Sequence, residues 1–513
     1  MRLFIAFLLF YGLLITFHGY TFGDNDHIEL MSYVNWINDN SLYPNDFYIQ
    51  HIVSRIPNER IFTVKVLSVG YHFLEYWTFF LHLSATLGLL YGLFKIAGLF
   101  LQEEWKIWLF LLILFFPLYS FNLGGNDIYY NALSASNLSK SLGVWCIYFA
   151  LQQQYYRSSV FAIAATLFHP IAGLQVFLLS FGAAFLVFIE KLISKKSLSE
   201  EKNYIYNFIA AISIYVAAAG IWLYLLFSHF DSGSITSYQF LKIIRFRLPH
   251  HFIPTAFGIK NYVFFLLLIS AGLYYFFKKS KNVFYMLLIS IAGMWVYTIA
   301  VGIFDDTRLI ATQWFKTSIW VKPLSLIALL SMLFSRMSFK SRLTKYFDKA
   351  HILLSLLSIN IALFLLTILP NNFISSKIHH LPFRHFSNAE IEIAFSASQL
   401  TPKNAVFLTP ASCTAFKFYS KRSSYVDFKA VTHSKSDLVE WFQRIQDVYH
   451  LENSGKYGLD LTALADQNFS NLKEAELPDL KSKGITHLLA PIGVKVNCRI
   501  IAQNKDFLIY ELP

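Results

Sequence analysis

Long apolar segments dominate this chain and limit what it can fold into. Runs such as Ile205–Phe227 and Tyr262–Phe277 approach or exceed the roughly 20 residues that a helix needs to cross the hydrocarbon core of a bilayer. Charged residues make up 14% of the chain, whereas a soluble domain carries about a quarter. The sequence therefore predicts a mainly α, polytopic transmembrane helical protein.

We expect about eleven membrane-spanning helices, a number set by the length of the apolar segments. The expected spans are 2–19, 73–94, 105–121, 139–155, 158–170, 171–189, 204–228, 259–277, 283–303, 314–334 and 351–369. The first span is expected to stay uncleaved, because His18-Gly19-Tyr20 offers no small-residue cleavage pattern. The stretch 158–189 is expected to form a hairpin of two helices with its tip at His169-Pro170, since proline breaks a helix.

Three basic clusters set the expected orientation, because loops rich in Lys and Arg stay in the cytoplasm. They lie around Lys191, Lys279 and Lys345. This scheme places the N-terminus in the cytoplasm and five polar segments on the extracytoplasmic side. These segments are the first loop (20–65), the loops 121–138, 229–258 and 304–313, and the region from Pro370 onward. We therefore expect a transmembrane module at 1–370 and an extracytoplasmic domain at 371–513.

The C-terminal region changes character and predicts a small α/β domain. Short strands are expected at 405–409, 424–428, 486–490, 499–502 and 507–511, and helices at 388–400 and 436–449. Alternating strands and helices are typical of α/β folds. The sequence of this region has no glycine-rich phosphate loop and no nucleophile elbow. Cys413 and Cys498 both lie here, and the sequence leaves open whether they form a disulfide.

The formal net charge of +12 raises the question of nucleic acid binding. Such binding needs a basic stripe, often combined with aromatic residues that stack on bases. The Lys and Arg residues of this chain instead fall in clusters between apolar segments, which is typical of cytoplasmic loops. We therefore expect no nucleic acid partner.

The start of the first loop holds several carboxylates close to the first span. Asp24, Asp26 and Glu29 lie at the start of a predicted amphipathic helix at 25–39, which Asp24 is expected to cap. The helix would lie at the membrane interface and hold these acids at the depth of a lipid headgroup. The alternative is an ordinary capped helix with solvated acids. Asp46 follows in an aromatic turn that is expected to pack over the same site.

A second group of candidate residues lies at 245–254, where arginines, histidines and prolines alternate with aromatic residues. Arg245, Arg247, His250 and His251 suit the binding of phosphate oxygens, and arginine often does so through two hydrogen bonds. One alternative is an interfacial loop with snorkelling arginines. Another is metal ligation by the two histidines, for which the sequence places no third ligand.

Further candidates lie in or beside the other expected loops. Ionisable groups near membrane depth are costly and therefore tend to be paired or functional. The candidates are Asn126, Asp127, His169, Asp305, Asp306 and Arg308. Arg308 suits phosphate binding, and it is also placed to form a local ion pair with Asp305 or Asp306.

The whole layout is similar to that of the GT-C superfamily of glycosyltransferases, which use polyprenyl-phosphate-linked sugars. The shared features are a first span, an outer loop that opens with acidic residues, many further spans and a C-terminal α/β domain. Asp24 and Asp26 match the place where that superfamily keeps its catalytic carboxylate. The segments Tyr43–Asp46, Pro249–His251 and Thr401–Pro410 also resemble those of uncharacterised bacterial membrane proteins, which implies the bacterial cytoplasmic membrane as the location.

The resemblance implies a glycosyltransferase that moves a sugar from a polyprenyl-phosphate donor to an extracytoplasmic glycolipid, polysaccharide or protein acceptor. Asp24 or Asp26 would act as the general base. The phosphate would bind at Arg245, Arg247, His250, His251 and Arg308. Glu29, Asp46, Asp127 and His169 are secondary candidates for residues of the site. Membrane lipids are implied as partners, no certain cofactor is named, and a divalent metal ion is left open.

Two other classes of function remain as alternatives. A transporter or flippase for a lipid-linked or anionic substrate would have ionisable residues deep in the spans and a two-fold repeat, neither of which is clear in the sequence. A non-catalytic envelope assembly protein or sensor would use the C-terminal domain as a binding module. An O-antigen ligase or polymerase would be expected to carry its large outer loop between spans.

Overall fold

The computed structural model describes residues 1–194, 202–230, 235–336, 356–360, 388–432, 434–451, 455–458 and 460–513. Within these ranges the chain is mostly helical and carries a five-stranded sheet near its C-terminus. The expected boundary between two domains at 370–371 lies outside the described residues.

Helices α1 to α17 follow the apolar and polar segments of the N-terminal part. Their bounds are Arg2–His18 (α1), His27–Asn38 (α2), Phe47–Ser54 (α3), Ile61–Ser68 (α4), Leu74–Leu101 (α5), Glu104–Phe115 (α6), Ala135–Leu151 (α7), Tyr155–Phe168 (α8), Pro170–Ile193 (α9), Lys202–Tyr215 (α10), Ile221–Phe230 (α11), Ser237–Arg247 (α12), Pro249–Phe252 (α13), Ile259–Lys279 (α14), Lys281–Gly302 (α15), Thr307–Ile310 (α16) and Ser318–Arg336 (α17). A π-helical segment, Val216–Gly220, joins α10 to α11.

Six helical segments are long and apolar enough to cross a membrane, counted over the described residues. They are Tyr71–Leu101, Pro170–Ile193, Ile205–Ser228, Ile259–Lys279, Lys281–Gly302 and Thr307–Ser335. α1 is also apolar but has 17 residues. These six segments fall on spans that the apolar runs predict.

The expectation of about eleven spans, which rests on segment length, is not confirmed. α6, α7 and α8 occupy three of the expected spans but hold 12, 17 and 14 residues, fewer than the roughly 20 that cross a bilayer core. The expected span 351–369 lies outside the described residues except for 356–360, which is helical.

The hairpin expected at 158–189 has its predicted break. α8 ends and α9 begins on either side of His169, whose backbone is extended at φ −140° and ψ 98°. Pro170 occupies the first position of α9, where its missing N–H costs no helical hydrogen bond. A Cβ atom added to Gly173 would lie 2.2 Å from the backbone nitrogen of Thr166, so the two helices approach each other closely beside the break.

The C-terminal region contains the expected small sheet together with helices. Its elements are Ala389–Leu400 (α18), Val406–Leu408 (β1), Phe416–Ser420 (α19), Ser423–Ser424 (β2), Lys435–Tyr449 (α20), Asp460–Ser470 (α21), Leu477–Ser482 (α22), His487–Pro491 (β3), Arg499–Gln503 (β4) and Phe507–Glu511 (β5). The strand order is β2-β1-β3-β5-β4, with β1 parallel to β2 and β3 and with β5 antiparallel to β3 and β4. Phe407 pairs with His487 in the parallel register.

The core of this sheet is apolar and contains no disulfide. Ile393 and Ala394 of α18 pack with Phe407 of β1 and Ile509 of β5. Cys413 is buried in the same cluster, whereas Cys498 is half-buried elsewhere, and all three cysteines of the chain are free. The disulfide that the sequence left open is therefore absent from the structure.

The first loop packs against other parts of the chain. α2 begins at His27 with Asp26 at its N-cap position, so the expected cap by Asp24 is wrong. Leu30 and Tyr33, which lie off the predicted apolar stripe, are buried as well. The reason is that α2 packs against both α4 and α19. The first loop and the C-terminal region therefore form one packed layer.

Candidate functional site

A cavity of about 620 Å³ opens where separate parts of the chain meet. The first loop, the loop 121–138, α12 and α13, the segment 311–316 and the C-terminal segment 429–438 all contribute to its wall. Each polar segment that the sequence analysis places outside the membrane thus reaches this cavity. Its ionisable lining residues are Asp26, Glu29, His51, Arg55, Glu59, Arg60, Asp127, Tyr130, Lys140, His169, Arg247, His250, His251, Lys316, Lys429 and Asp437.

The cavity brings together most of the residues predicted from the sequence. Those on its wall are Asp26, Glu29, Asn126, Asp127, His169, Arg247, His250 and His251. Acidic residues of the first loop and basic residues of α12 and α13 therefore face the same space. Asp24, Asp46, Arg245 and Arg308, which were also predicted, are not among the residues that line it.

Asp26 is a partly exposed carboxylate held from two sides. The hydroxyl of Tyr130 donates a hydrogen bond to Oδ2 of Asp26 at 2.6 Å. The ammonium of Lys429 lies 3.7 Å from Oδ1 and donates a hydrogen bond to the side chain of Asn25 at 2.7 Å. The side chain of Asp26 remains 55% exposed. A carboxylate with fixed orientation and open access can accept a proton from a bound hydroxyl group.

The neighbouring acids of the first loop and α20 are paired with arginines. Glu29 lies 2.6 Å from the guanidinium of Arg60. Arg55 forms two hydrogen bonds with the carboxylate of Asp437, one of them 2.6 Å long. These two acids are therefore neutralised by the protein itself.

Arg247 is a buried cation with no acid partner among the described residues. Its Nε donates a hydrogen bond to the carbonyl oxygen of Phe428 at 2.9 Å, and its guanidinium lies 5.0 Å from the centre of the Phe428 ring. Its side chain forms no ion pair with any residue in the described part of the chain. Burial lowers the pKa of Arg247, although Asp26 and Glu29 oppose this effect. A buried charge without a partner is costly, which favours an anionic ligand beside it.

Lys316 is a second cation for which the described part of the chain supplies no acid partner. Its side chain is half-buried on the cavity wall, and no acceptor or carboxylate among the described residues binds its ammonium group. The charged group that acts on Lys316 is also a cation, Arg60. Lys316 and Arg247 together give the cavity an unneutralised positive end.

His250 and His251 lie next to these cations and are neutral near pH 7. Burial lowers the pKa of His250 to about 4, and Arg247 and Lys316 act in the same direction. Burial, followed by Lys316 and His250, lowers the pKa of His251 well below its usual value. Nδ1 of His251 is 3.2 Å from the carbonyl oxygen of Gly124. In the neutral ring this contact places the proton on Nδ1 and leaves Nε2 as an acceptor.

Two glycines allow the loops of the site to meet. Gly124 and Gly125 have φ values of 75° and 58°, a backbone region that side chains disfavour. A Cβ atom on Gly125 would lie 2.7 Å from the carbonyl oxygen of His250, and one on Gly124 would lie 3.1 Å from the backbone nitrogen of Lys316. The glycine pair therefore fixes the positions of His250 and Lys316 relative to the loop 121–138.

Two lysines donate hydrogen bonds to backbone carbonyl groups in the loop 121–138 and just before it. The ammonium of Lys140 donates a hydrogen bond to the carbonyl oxygen of Asp127. Lys322 donates to the carbonyl oxygens of Leu118 and Tyr119 at 3.0 and 3.2 Å. Burial raises the pKa of Asp127, and Lys140 and Lys322 oppose that rise. These contacts make the loop a rigid part of the cavity wall.

One side of the cavity is apolar. It is formed by α8, α9, α11, α12 and α13, and it adjoins the wall that carries Arg247. The residues are Phe168, Ile171, Leu226, Phe227, Phe240, Ile244 and Phe252. The cavity therefore combines a cationic end with an apolar side.

Asp24 has a different environment from Asp26. Its Oδ1 accepts hydrogen bonds from the hydroxyl of Thr414 and, at 2.6 Å, from the backbone N–H of Asn25. It also lies near Glu390, which accepts two backbone hydrogen bonds at the start of α19. Burial, followed by the charge of Asp24, raises the pKa of Glu390 to about 7. Asp24 thus joins the first loop to the C-terminal domain.

Asp46 is a buried structural residue. Its two oxygens accept hydrogen bonds from the backbone N–H groups of Ile49, at the start of α3, and Ser424, and from the ammonium of Lys417. Lys417 also binds Asp427. Asp46 therefore belongs to a buried ion network with Lys417 and Asp427 and not to the acids that line the cavity.

Arg245 and Arg308 pair with acids outside the cavity. Arg245 lies 3.3 Å from Asp305, and both side chains are about half exposed. Arg308 binds Asp306 at 2.7 Å, which is one of the two local ion pairs that the sequence suggests. Neither arginine is placed to bind a ligand in the cavity.

Sequence reasoning missed Lys316, Lys429, Tyr130 and the glycine pair. A lysine within an apolar segment is a signal of a functional or paired charge, and it would have found Lys316. Adjacent glycines followed by Asn and Asp mark a tight loop, and they would have drawn attention to Gly124 and Gly125. Nothing in the sequence near Lys429 indicates that it reaches Asp26.

The described residues contain no group of three His, Cys, Asp or Glu side chains placed to hold a metal ion. His250 and His251 have ring centres 4.1 Å apart, but no third such ligand joins them in that part of the chain. The cavity wall instead carries the cations Arg247 and Lys316 beside the two histidines.

Comparison with known proteins assigns one segment of the chain. Residues 388–448 match the family described as Domain of unknown function (DUF6798). No curated protein matches the chain. The matched segment runs from α18 into α20 and carries Lys429 and Asp437 of the cavity wall. The similarity therefore covers the C-terminal part of the site and none of the long apolar helices.

Proposed function

We propose that this chain is a multi-pass membrane glycosyltransferase of the GT-C type, which transfers a sugar from a polyprenyl-phosphate donor to an acceptor hydroxyl. The observation that carries the proposal is the distribution of paired and unpaired charges on the cavity wall. Arg247 and Lys316 have no acid partner in the described part of the chain, while Asp26, which lines the same cavity, stays accessible. An anionic group bound to the cations would place its substituent near a carboxylate that can act as a base.

The apolar side of the cavity supports a lipid-linked ligand. Phe168, Leu226 and Phe227 belong to α8 and α11, which are apolar helices beside the cationic end. A phosphate on a hydrocarbon chain has the matching polarity, because its head needs cations and its chain gains free energy by leaving water. A free sugar phosphate would gain nothing from this apolar wall.

The shared location of the polar segments supports the proposed topology. All five segments expected outside the cytoplasm contribute to the cavity wall, as they would if they emerged on one side of a membrane. We place the protein in a bacterial cytoplasmic membrane with its N-terminus in the cytoplasm and its C-terminal domain outside. The additional spans would come from α1 and from the shorter helices α6 to α8, packed in the bundle.

The proposed reaction uses few groups. Asp26 accepts the proton of an acceptor hydroxyl, and the hydroxyl oxygen attacks the anomeric carbon of the donor from the face opposite the phosphate. The bond between the anomeric carbon and the phosphate oxygen breaks, and the electron pair leaves with the lipid phosphate. Arg247 and Lys316 stabilise the negative charge that develops on that phosphate. The leaving group therefore needs no strong general acid.

Binding of a short lipid phosphate tests the proposal. Purified protein in nanodiscs is titrated with farnesyl phosphate and with farnesol. We expect farnesyl phosphate to bind more tightly, and Arg247→Gln or Lys316→Met to weaken its binding about 10- to 100-fold, as is typical when a charged hydrogen bond is lost. Arg245→Gln is the matched control, because Arg245 lies on the same helix but outside the cavity.

Two outcomes would count against the proposal. Equal binding of farnesol and farnesyl phosphate would remove the role of the cations. Normal phosphate binding, with no difference in lipids or glycans between cells with and without the gene, would favour a transporter or a non-catalytic assembly protein.

A further inference from the structure

Three consecutive residues of the C-terminal domain connect the buried ion network of Asp46 to two residues of the site. Asp427 binds Lys417, which in turn binds Asp46 of the first loop. Phe428 accepts the hydrogen bond from Nε of Arg247. Lys429 reaches Asn25 and Asp26. The segment Asp427–Lys429 therefore lies between the cationic end of the cavity and the carboxylate of the first loop.

We propose that Lys429 is a positioning residue for Asp26, and that the segment Asp427–Lys429 makes the C-terminal domain a working part of the catalytic site. This inference rests on the proposed function, in which Asp26 is the base and Arg247 binds the lipid phosphate. It assigns the segment matched by the domain of unknown function to the site itself, instead of to the recognition of a separate partner.

The geometry around Asp26 carries the first half of the inference. Tyr130 binds Oδ2 and the ammonium of Lys429 lies toward Oδ1, so the two contacts together restrict rotation of the carboxylate. Tyr130 comes from the loop 121–138, whereas Lys429 comes from the C-terminal domain, 404 positions after Asn25. With Lys429 removed, a carboxylate with one remaining contact turns about its side-chain bonds. Lys429 also holds Asn25 and so restrains the backbone that leads into α2.

The geometry around Arg247 carries the second half. The carbonyl oxygen of Phe428 accepts the hydrogen bond from Nε, and no described residue binds the two terminal nitrogens of the guanidinium, which are therefore available to a ligand. The guanidinium carbon also lies 5.0 Å from the centre of the Phe428 ring, a cation–π contact that restricts its movement. Arginine binds phosphate best when two parallel N–H groups point at its oxygens. The backbone of the C-terminal domain thus sets the direction in which Arg247 can bind.

The segment is itself anchored, which makes it able to position other groups. The indole N–H of Trp441 donates to the carbonyl oxygen of Asp427 at 2.9 Å. The carboxylate of Asp427 is buried against Lys417. These contacts fix the backbone immediately before Phe428 and Lys429. The positions of the two site residues are therefore determined by the core of the C-terminal domain.

The experiment compares full-length wild type, Lys429→Ala and Lys429→Arg in nanodiscs. Lys505→Ala serves as a matched control, because Lys505 is an exposed lysine of the same domain away from the cavity. Hydrogen–deuterium exchange is followed for peptides that cover residues 23–30. Farnesyl phosphate binding is measured with the same proteins, and lipid-linked sugars and glycans are measured by mass spectrometry in complemented deletion cells.

We expect exchange at 23–30 to be about tenfold faster in Lys429→Ala, as for a locally released segment, and unchanged in Lys505→Ala. Binding of farnesyl phosphate should stay within about threefold of wild type, whereas the product in cells should fall at least about tenfold. Lys429→Arg should restore both exchange and product. This split between binding and turnover is not expected of a variant that merely unfolds.

Unchanged exchange at 23–30 in Lys429→Ala would overturn the inference, as would a normal level of product despite faster exchange. If wild-type cells show no product that depends on the gene, the proposed function fails. The exchange of Lys429→Ala compared with Lys429→Arg then still decides whether Lys429 positions the start of α2.

Discussion

Lys417 and Asp46 form a buried ion pair, with 3.0 Å between Nζ of the lysine and Oδ1 of the aspartate. They come from α19 and from the turn before α3, so this pair joins the C-terminal domain to the first loop. Burial lowers the pKa of Lys417, but the charges of Asp427 and Asp46 outweigh this effect and the pKa is raised. One cation therefore pairs with two buried carboxylates.

Replacing this lysine should be strongly destabilising. Lys417→Met leaves Asp46 and Asp427 buried without a cation, and the removal of one partner from a buried pair costs about 3–5 kcal/mol. Thermal unfolding in nanodiscs should show a large drop in the midpoint. Lys505→Met is the matched control and should unfold as wild type does. A midpoint for Lys417→Met equal to that of the control would show that the network does not stabilise the fold.

Gly125→Ala should damage the site through the backbone. Its φ of 58° and the carbonyl oxygen of His250, 2.7 Å from the added Cβ, leave no room for a side chain. We expect a loss of about 1–3 kcal/mol, the usual cost of a strained backbone position, together with weaker binding of farnesyl phosphate. Gly493→Ala is the control, because no atom lies within 4 Å of its added Cβ. Wild-type binding and stability in Gly125→Ala would contradict the tight packing of these loops.

Asp26 and Asp24 should differ in their effect on turnover. Asp26→Asn removes the proposed base and should lower the amount of product in cells about 10²- to 10⁴-fold, while farnesyl phosphate binding stays close to that of wild type. Asp24→Asn should retain most of the product, because Asp24 binds Thr414 and does not line the cavity. Mass spectrometry of glycans and lipid-linked sugars measures both variants. Full activity of Asp26→Asn would remove Asp26 as the base.

His250 should make the protein sensitive to acid. Its pKa of about 4 in the folded protein lies below the roughly 6.5 expected after unfolding, because burial disfavours the charged ring. The folded state thus binds fewer protons, so this contribution to stability is complete above about pH 6.5 and is lost as the pH falls toward 4.

The unfolding midpoint of wild type should therefore fall more steeply over this pH range than that of His250→Gln. His72→Gln is the control, because the side chain of His72 is exposed. If His250→Gln and wild type lose stability in parallel from pH 6.5 to 4.5, burial of the neutral ring is not what limits stability there.

Much of the secondary structure could be predicted because its causes are local. The long apolar runs become helices, and His169-Pro170 ends one helix and starts the next. The strands at 499–502 and 507–511 are found within one residue of their expected positions. Apolar length alone did not separate helices that can cross a bilayer from shorter ones such as α6, since the turns that end a helix depend on its neighbours.

The candidate site was predicted only in part, and α12 shows why. Arg245 and Arg247 were both expected to bind phosphate. Arg245 is about half exposed, however, whereas Arg247 is buried on the cavity wall. Residues two positions apart on a helix point in nearly opposite directions, so only one of them can face a given cavity. A pattern of residue types does not show which face is covered until the packing of the helix is known.

The contacts between distant segments were beyond sequence reasoning. Lys429 and Asn25 are 404 positions apart, and no local pattern at either residue indicates the other. Asp46 was expected to join a site, but its backbone partners Ile49 and Ser424 make it a buried anchor. The composition of α12 and α13 predicted an anion site there. It did not predict which residues from distant segments contact that site, because those contacts depend on the fold.

The contacts between the first loop and the C-terminal domain also determine the order in which these parts of the chain fold during synthesis. Asp46 leaves the ribosome 371 residues before Lys417, a delay of roughly 20–75 seconds at about 5–20 residues per second. Throughout that interval α2 and the turn at Asp46 lack the surface that covers them. Maturation of the first loop must therefore be among the last steps of biogenesis, and a truncated chain that ends before Lys417 would present this loop to proteases and chaperones.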